Sequence, residues 1–239
     1  MANQLFLVSS PFTEPGKPLN ENNKFVERLL KCEHHSALMV TSAPSDIRFS
    51  ESFSYAIQHT MALSGITFEN YIILDDRNKM DAQELVAASD FIILGGGHVP
   101  TQNAFFAEIG LKNCMKNFDG TVLGISAGSM NCAEEVYAQP ELEGETTDPH
   151  YRRFMEGLGL TNIRVIPHYQ AIRDDYLDGK RVIEDIACVD SVGRRFYVLT
   201  DGSYILKRDG EEVLHGEGYL IENGRIRKIC EKDQVKKLR

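Results

Sequence analysis

The residues most suited to chemistry lie in Gly124-Ile125-Ser126-Ala127-Gly128, where a short apolar run meets Gly-x-Ser-x-Gly and a helix-compatible segment follows. That is the sequence form of a nucleophile elbow, a serine on a sharp turn between strand and helix. The flanking glycines leave room for a tight turn where a side chain would clash. The helix start offers backbone N–H groups to a developing oxyanion. By itself the motif also describes a glycine-rich turn with an idle serine, so the other members of a charge-relay set must be sought.

A serine nucleophile needs a base and an orienting acid. In the order Ser, acid, His, the base is His215 with Asp190 or Asp201. His215, however, lies in the hairpin-rich VLHGEG. His168 directly follows the strand-like Ile163 to Ile166, and Asp201 directly follows Arg195 to Leu199. In an open parallel sheet the ligand site lies beyond the carboxyl ends of the strands. The order Ser126, His168, Asp201 is therefore favoured, and Gly95-Gly96-Gly97 falls on the same edge.

The elements that must hold these residues alternate. Strands are expected at Gln4 to Ser9, Ser36 to Thr41, Tyr71 to Leu74, Phe91 to Leu94 and Thr121 to Ile125. Between them, helices are expected at Lys24 to Cys32, Phe49 to Ser64, Met80 to Ser89 and Thr101 to Lys116. This is the pattern of βαβ units around a parallel sheet. Glu134 to Gly157 is polar and irregular, a length usually reserved for functional or mobile loops. Asp174 to Ala187 is expected to be helical. Past Ser203, Asp209-Gly210 and Asn223-Gly224 signal antiparallel hairpins. No linker or repeat divides the chain, so residues 1–239 are expected to form one α/β domain, a mainly parallel sheet flanked by helices with C-terminal hairpins.

Composition bounds the function. The chain has 239 residues, 42% of them apolar, which is enough for a sizeable core. A net charge of −9 argues against a nucleic-acid surface. Cys32, Cys114, Cys132, Cys188 and Cys230 are odd in number and lack metal-ligand spacing, so reduced thiols in a cytoplasmic protein are expected. Neither a signal peptide nor an apolar run of membrane-spanning length is legible.

In this order, FIILGGG, GISAGSMN, IPHYQ and LTDGSYI resemble the S51 serine peptidases, the family of peptidase E (an α-aspartyl dipeptidase) and the cyanophycinases. The resemblance runs from the first strand to about Ile205. It implies a fold like the class I glutamine amidotransferase domain and hydrolysis of short peptides through an acyl-enzyme. Residue by residue it implies Ser126 as nucleophile, His168 as base, and an oxyanion hole from the Ala127 N–H with that of Gly97 or Gly96. Family members often carry Glu where Asp201 stands, and an alternative acid position falls on Glu141. Asp201 is favoured because a strand end is the more rigid platform.

Aspartyl specificity would require a cation for the substrate carboxylate. Arg173 and Arg181 are the leading candidates, with Lys180, Arg152 and Arg153 behind them. No cofactor or metal is implied. The expected partner is a small peptide, with no nucleic acid or membrane; a homodimer is admitted but not required. Ser126 and His168-Tyr169-Gln170, in place of Cys and His-x-Glu, exclude ammonia transfer from glutamine. The competing functions are another serine hydrolase, either an esterase or a cyanophycinase-like isopeptidase, and a non-catalytic ligand-binding relative.

Overall fold

A computed structural model describes residues 2–238. The first half of the chain alternates strand and helix. It runs β1 (Gln4–Val8), α1 (Phe25–Leu29), β2 (Ser36–Val40), α2 (Ile47–Leu63), β3 (Asn70–Leu74) and α3 (Ala82–Ala87). It continues with β4 (Phe91–Leu94), α4 (Val99–Glu108), α5 (Leu111–Cys114), β5 (Thr121–Ile125) and α6 (Ala127–Asn131). The second half begins with β6 (Glu135–Tyr137), β7 (Phe154–Glu156), β8 (Arg164–Ile166), α7 (Tyr169–Ile172), β9 (Tyr176–Leu177) and β10 (Lys180–Arg181). After a π-helical stretch, Val182–Ala187, come α8 (Cys188–Asp190), β11 (Arg195–Leu199), β12 (Tyr204–Arg208), β13 (Glu211–His215), β14 (Gly218–Glu222), β15 (Arg225–Cys230) and β16 (Val235–Lys237).

Eight strands form the main sheet in the order β16-β13-β12-β1-β5-β4-β2-β3. The run β1, β5, β4, β2, β3 is parallel throughout, and β12, β13 and β16 complete it in antiparallel fashion. The central strands are apolar on both faces, as strands covered by helices on each side must be. Alternate residues supply separate cores. Leu5, Leu38, Ile92 and Val122 belong to one buried cluster, and Phe6, Met39, Ile93 and Leu123 to the other.

The expected mainly parallel, helix-flanked sheet is therefore present, with several local corrections. The two Gly-containing hairpins occur where anticipated, but in different sheets. Asp209-Gly210 joins β12 to β13 in the main sheet, whereas Asn223-Gly224 joins β14 to β15 in a second sheet of order β15-β14-β11-β8. The helix expected over Thr101 to Lys116 breaks at Gly110, whose φ of 61° ends α4. Asp174 to Ala187 is not one helix. Asp178 and Gly179 both adopt positive φ, which suits a tight hairpin turn between β9 and β10, and helical geometry starts only at Val182. The irregular Glu134 to Gly157 segment is closed at its base by the antiparallel pair β6 and β7. Among the described residues no helix is long and apolar enough to cross a membrane.

Close approach, not backbone φ, accounts for the outer glycines of the elbow. A Cβ on Gly128 would lie 2.1 Å from the Leu94 carbonyl oxygen, and one on Gly124 would lie 2.9 Å from the Ser129 backbone. α6 can thus press against β4 and β5. Ser129, wholly buried, clamps it there. Its Oγ accepts from the Val8 N–H at 2.7 Å and has the carbonyls of Gly124 and Val8 at 2.7 and 2.9 Å as acceptors for its single proton. Ser129→Ala removes these buried hydrogen bonds and is expected to cost about 1 kcal/mol of folding stability. Urea denaturation checks this; an unchanged midpoint would contradict the clamp.

Candidate active site

Each candidate side chain stands just past a strand. Ser126 follows β5, His168 follows β8 by way of Pro167, Asp201 follows β11 by way of Thr200, and Gly95-Gly96-Gly97 follows β4. β4 and β5 belong to the main sheet, β8 and β11 to the second, so the site spans the carboxyl ends of both.

Ser126 has φ 51° and ψ −113°. The positive φ that suits a glycine therefore falls on the serine, and this ψ is far from the left-handed helical well near +30 to +60°. Such strain persists only where the surroundings over-determine the backbone. Here the Ser126 N–H donates to the Val8 carbonyl at 2.9 Å, and the Ser126 carbonyl accepts from the Met130 N–H. The turn is held from β1 on one side and from α6 on the other.

The Ser126 Oγ lies 2.9 Å from His168 Nε2, and His168 Nδ1 lies 2.8 Å from Asp201 Oδ1. Asp201 therefore faces Nδ1, and a proton there leaves Nε2 free to accept from the serine hydroxyl. Burial pushes the Asp201 carboxyl up, but hydrogen bonds from His168, Ser9 and Gln170, together with the nearby imidazole charge, outweigh it and hold it below the usual carboxylate range.

Two further residues, Ser9 and Gln170, organise this hydrogen-bonded chain. Ser9, immediately after β1 and wholly buried, donates its hydroxyl to Asp201 Oδ1 at 2.7 Å and accepts from the His168 N–H at 2.7 Å. Gln170 clasps Asp201 from the other side. Its amide donates to Oδ2, and its Oε1 accepts from the Asp201 N–H. Ser9 was findable by the strand-end rule that singled out the others. Gln170 was legible only as the residue in place of the Glu of His-x-Glu, and nothing in that pattern pointed to a hydrogen bond with Asp201.

The glycine triplet is set by a third such residue. Ser42 Oγ donates to the Gly96 carbonyl at 2.5 Å. That peptide bond is trans, so the Gly97 N–H points away from Ser42. Gly97 has φ 147°, and a Cβ there would fall 2.1 Å from Ser42 Oγ. Gly97 lines the cleft in which Ser126 and His168 stand. Ala127 opens α6, so its N–H has no acceptor within the helix. Gly96 is close as well, its hypothetical Cβ 3.5 Å from the Ser126 Cβ.

The alternatives lie elsewhere or do other things. His215 sits within β13, its ring stacked on Tyr204 at 4.7 Å. Burial, with the Arg28 charge beside it, pushes its pKa down to about 4. Asp190 accepts from the Tyr137 hydroxyl and from Arg153, both at 2.8 Å. Glu141 lines the cleft, but the Nδ1 hydrogen bond goes to Asp201. Arg181 forks onto Asp185 and Arg173 bonds Asp174, both on exposed surface, and neither lines the cleft.

The cleft itself is small, about 80 Å³. The Glu134 to Gly157 excursion supplies Gln139 and Glu141 to its wall. Glu145 pins that excursion, accepting from the N–H groups of Glu141 and Leu142 and pairing with His98 Nε2 at 2.9 Å. Asp178 holds it from the other side through Gly144 and Thr146.

Comparison with known proteins agrees with this architecture. No curated protein matches the chain. Among solved structures, the crystal structure of a candidate peptidase E protein from Listeria monocytogenes EGD-e superposes with a TM-score of 0.58 over 95% of this chain and 98% of that one, at 14% identity. At that identity the likeness is one of fold. The model of peptidase family S51 matches residues 5–214, from β1 into β13, across every strand end that carries a candidate residue. The chain belongs to peptidase family S51.

Proposed function

We propose that this protein is a serine peptidase that hydrolyses short peptides in the cytoplasm through an acyl-enzyme. The observation that carries the proposal is the unbroken hydrogen-bonded chain from Ser126 Oγ through His168 to Asp201, built on a serine with strained backbone. Ser126 attacks the scissile carbonyl as His168 Nε2 takes its proton. Asp201 keeps the imidazole in the required tautomer and stabilises the imidazolium. The oxyanion is received by the N–H groups of Ala127 and Gly97. His168 then protonates the leaving amine, and a water activated by the same nitrogen releases the acyl group. The small cleft favours a dipeptide or the end of a short chain over the interior of a folded protein.

Ser126→Ala is expected to lower turnover by at least about three orders of magnitude while circular dichroism stays unchanged. A panel of dipeptides, longer peptides and acyl esters identifies the substrate; full turnover by the variant would overturn the mechanism.

Asp201→Asn is expected to lower kcat by about three to four orders of magnitude, because the orienting carboxylate is lost. It also changes acid stability. The folded Asp201 has a depressed pKa, so its contribution is fully present above the unfolded value of about 3.9 and disappears as pH falls through the lower folded value. Urea midpoints followed from about pH 6 to about pH 2 should fall less steeply at the acid end for the variant than for the wild type. Parallel curves would remove Asp201 from that role.

A further inference from the structure

The tripeptide His168-Tyr169-Gln170 grips Asp201 at three points. His168 Nδ1 lies 2.8 Å from Oδ1, the Gln170 amide donates to Oδ2, and Gln170 Oε1 accepts from the Asp201 N–H at 3.0 Å. Ser9 also bonds Oδ1, so the two carboxylate oxygens are divided. His168 and Ser9 hold one, and Gln170 holds the other. The grip is steadied from outside by Tyr169, whose ring packs on that of Tyr219 in β14 with centroids 4.1 Å apart.

Burial does not fix Asp201 in this position. Its side chain is 35% accessible, and Gln170 is exposed as well. The last torsion of an aspartate is broad. A carboxylate tied at one oxygen alone can turn, and the oxygen that faces Nδ1 turns with it. Hydrogen bonds at both oxygens fix its plane. Gln170 is also among the groups that hold the Asp201 carboxyl below its usual range.

The chemistry of the grip calls for an amide. The Asp201 N–H needs an acceptor, and Oδ2 needs a donor. An amide offers both, whereas an ionised carboxylate only accepts. A carboxylate at this position would also set two like charges face to face, which favours a proton on the pair or on the neighbouring imidazole. The His-x-Glu pattern places its carboxylate two residues after the histidine. Here that place holds an amide, and the acid comes instead from the end of β11.

We propose that Gln170 is a positioning residue of the Ser126, His168, Asp201 chain, and that its amide group, not its size, keeps Asp201 aimed at Nδ1 as the one carboxylate on the imidazole. This rests on the serine-peptidase function proposed above.

The test follows inactivation of the 239-residue chain by a small alkyl fluorophosphonate as pH is varied. It yields a maximal rate, a binding constant, and an acid limb that reports protonation of the base. The charged groups facing His168 are Asp201 and, from the excursion, Glu141, while Arg173, Asp174, Glu184 and Glu217 face Tyr169. All are common to wild type and variants, so a moved acid limb reports position 170. Gln170→Met keeps the length and removes both hydrogen bonds. Its maximal rate is expected to fall about tenfold, with binding and acid limb unchanged. Gln170→Glu is expected to lose rate similarly and also to move the acid limb up by about one pH unit. A role in packing alone produces no such shift. Circular dichroism and thermal melting check that both variants are folded. Wild-type reactivity in Gln170→Met overturns the clasp, and an unmoved limb in Gln170→Glu overturns the need for an amide. In either case labelling of Ser126 in the wild type leaves the nucleophile standing. If the probe fails on folded wild-type protein, the serine mechanism itself falls, and the clasp with it.

Discussion

The site depends on one strained residue. Ser126 is held at φ 51° and ψ −113°, a conformation that a free chain would leave at once. Release is blocked because α6 cannot back away from the sheet. Gly128 lies against the Leu94 carbonyl with no space for a Cβ, and Ser129 ties α6 to both β1 and β5. Strain at the elbow is thus offset by packing in the most buried part of the sheet. The same packing presents the Ser126 side chain at the mouth of the cleft while its neighbours Ala127 and Gly128 stay buried.

A second dependence concerns the joint between the two sheets. Ser126 belongs to one and the His168–Asp201 pair to the other, so their alignment is only as good as the connection between them. Ser9 makes that connection. It leaves β1 of the main sheet and reaches both the His168 backbone and the Asp201 carboxylate. His168 needs this support, since it too adopts positive φ, 59°. Asp201 tolerates partial burial because three side chains donate to it, and charge-assisted hydrogen bonds of this kind are stronger than neutral ones. By comparison, exposed pairs such as Arg181 with Asp185 contribute little, since solvent screens them.

The mouth of the site is shaped by side-chain hydrogen bonds more than by regular structure. Between β6 and β7 the excursion carries no strand or helix of its own, yet Glu145, His98 and Asp178 fasten it at defined points. That is how a polar, irregular stretch becomes one wall of a small cleft.

Much of this is legible in the amino-acid sequence. Strand positions, the parallel core of the sheet, the elbow and the order Ser126, His168, Asp201 all follow from local pattern, because an apolar run followed by glycine or a polar residue marks a strand end wherever it occurs. Local pattern failed where a single residue's φ decides the outcome, as at Gly110 and at Asp178-Gly179. It also could not see that the C-terminal hairpins divide between two sheets, since pairing partners far apart in sequence leave no local mark. The amino-acid sequence by itself determined which chemical groups end up at strand termini. Only the tertiary structure decided that the favoured groups meet, Ser126 on His168 and His168 on Asp201, and that Ser9 and Gln170 support them. Hydrogen bonds act over about 3 Å, and only the packing of α6 and the second sheet against β1, β4 and β5 brings residues more than a hundred positions apart within that reach.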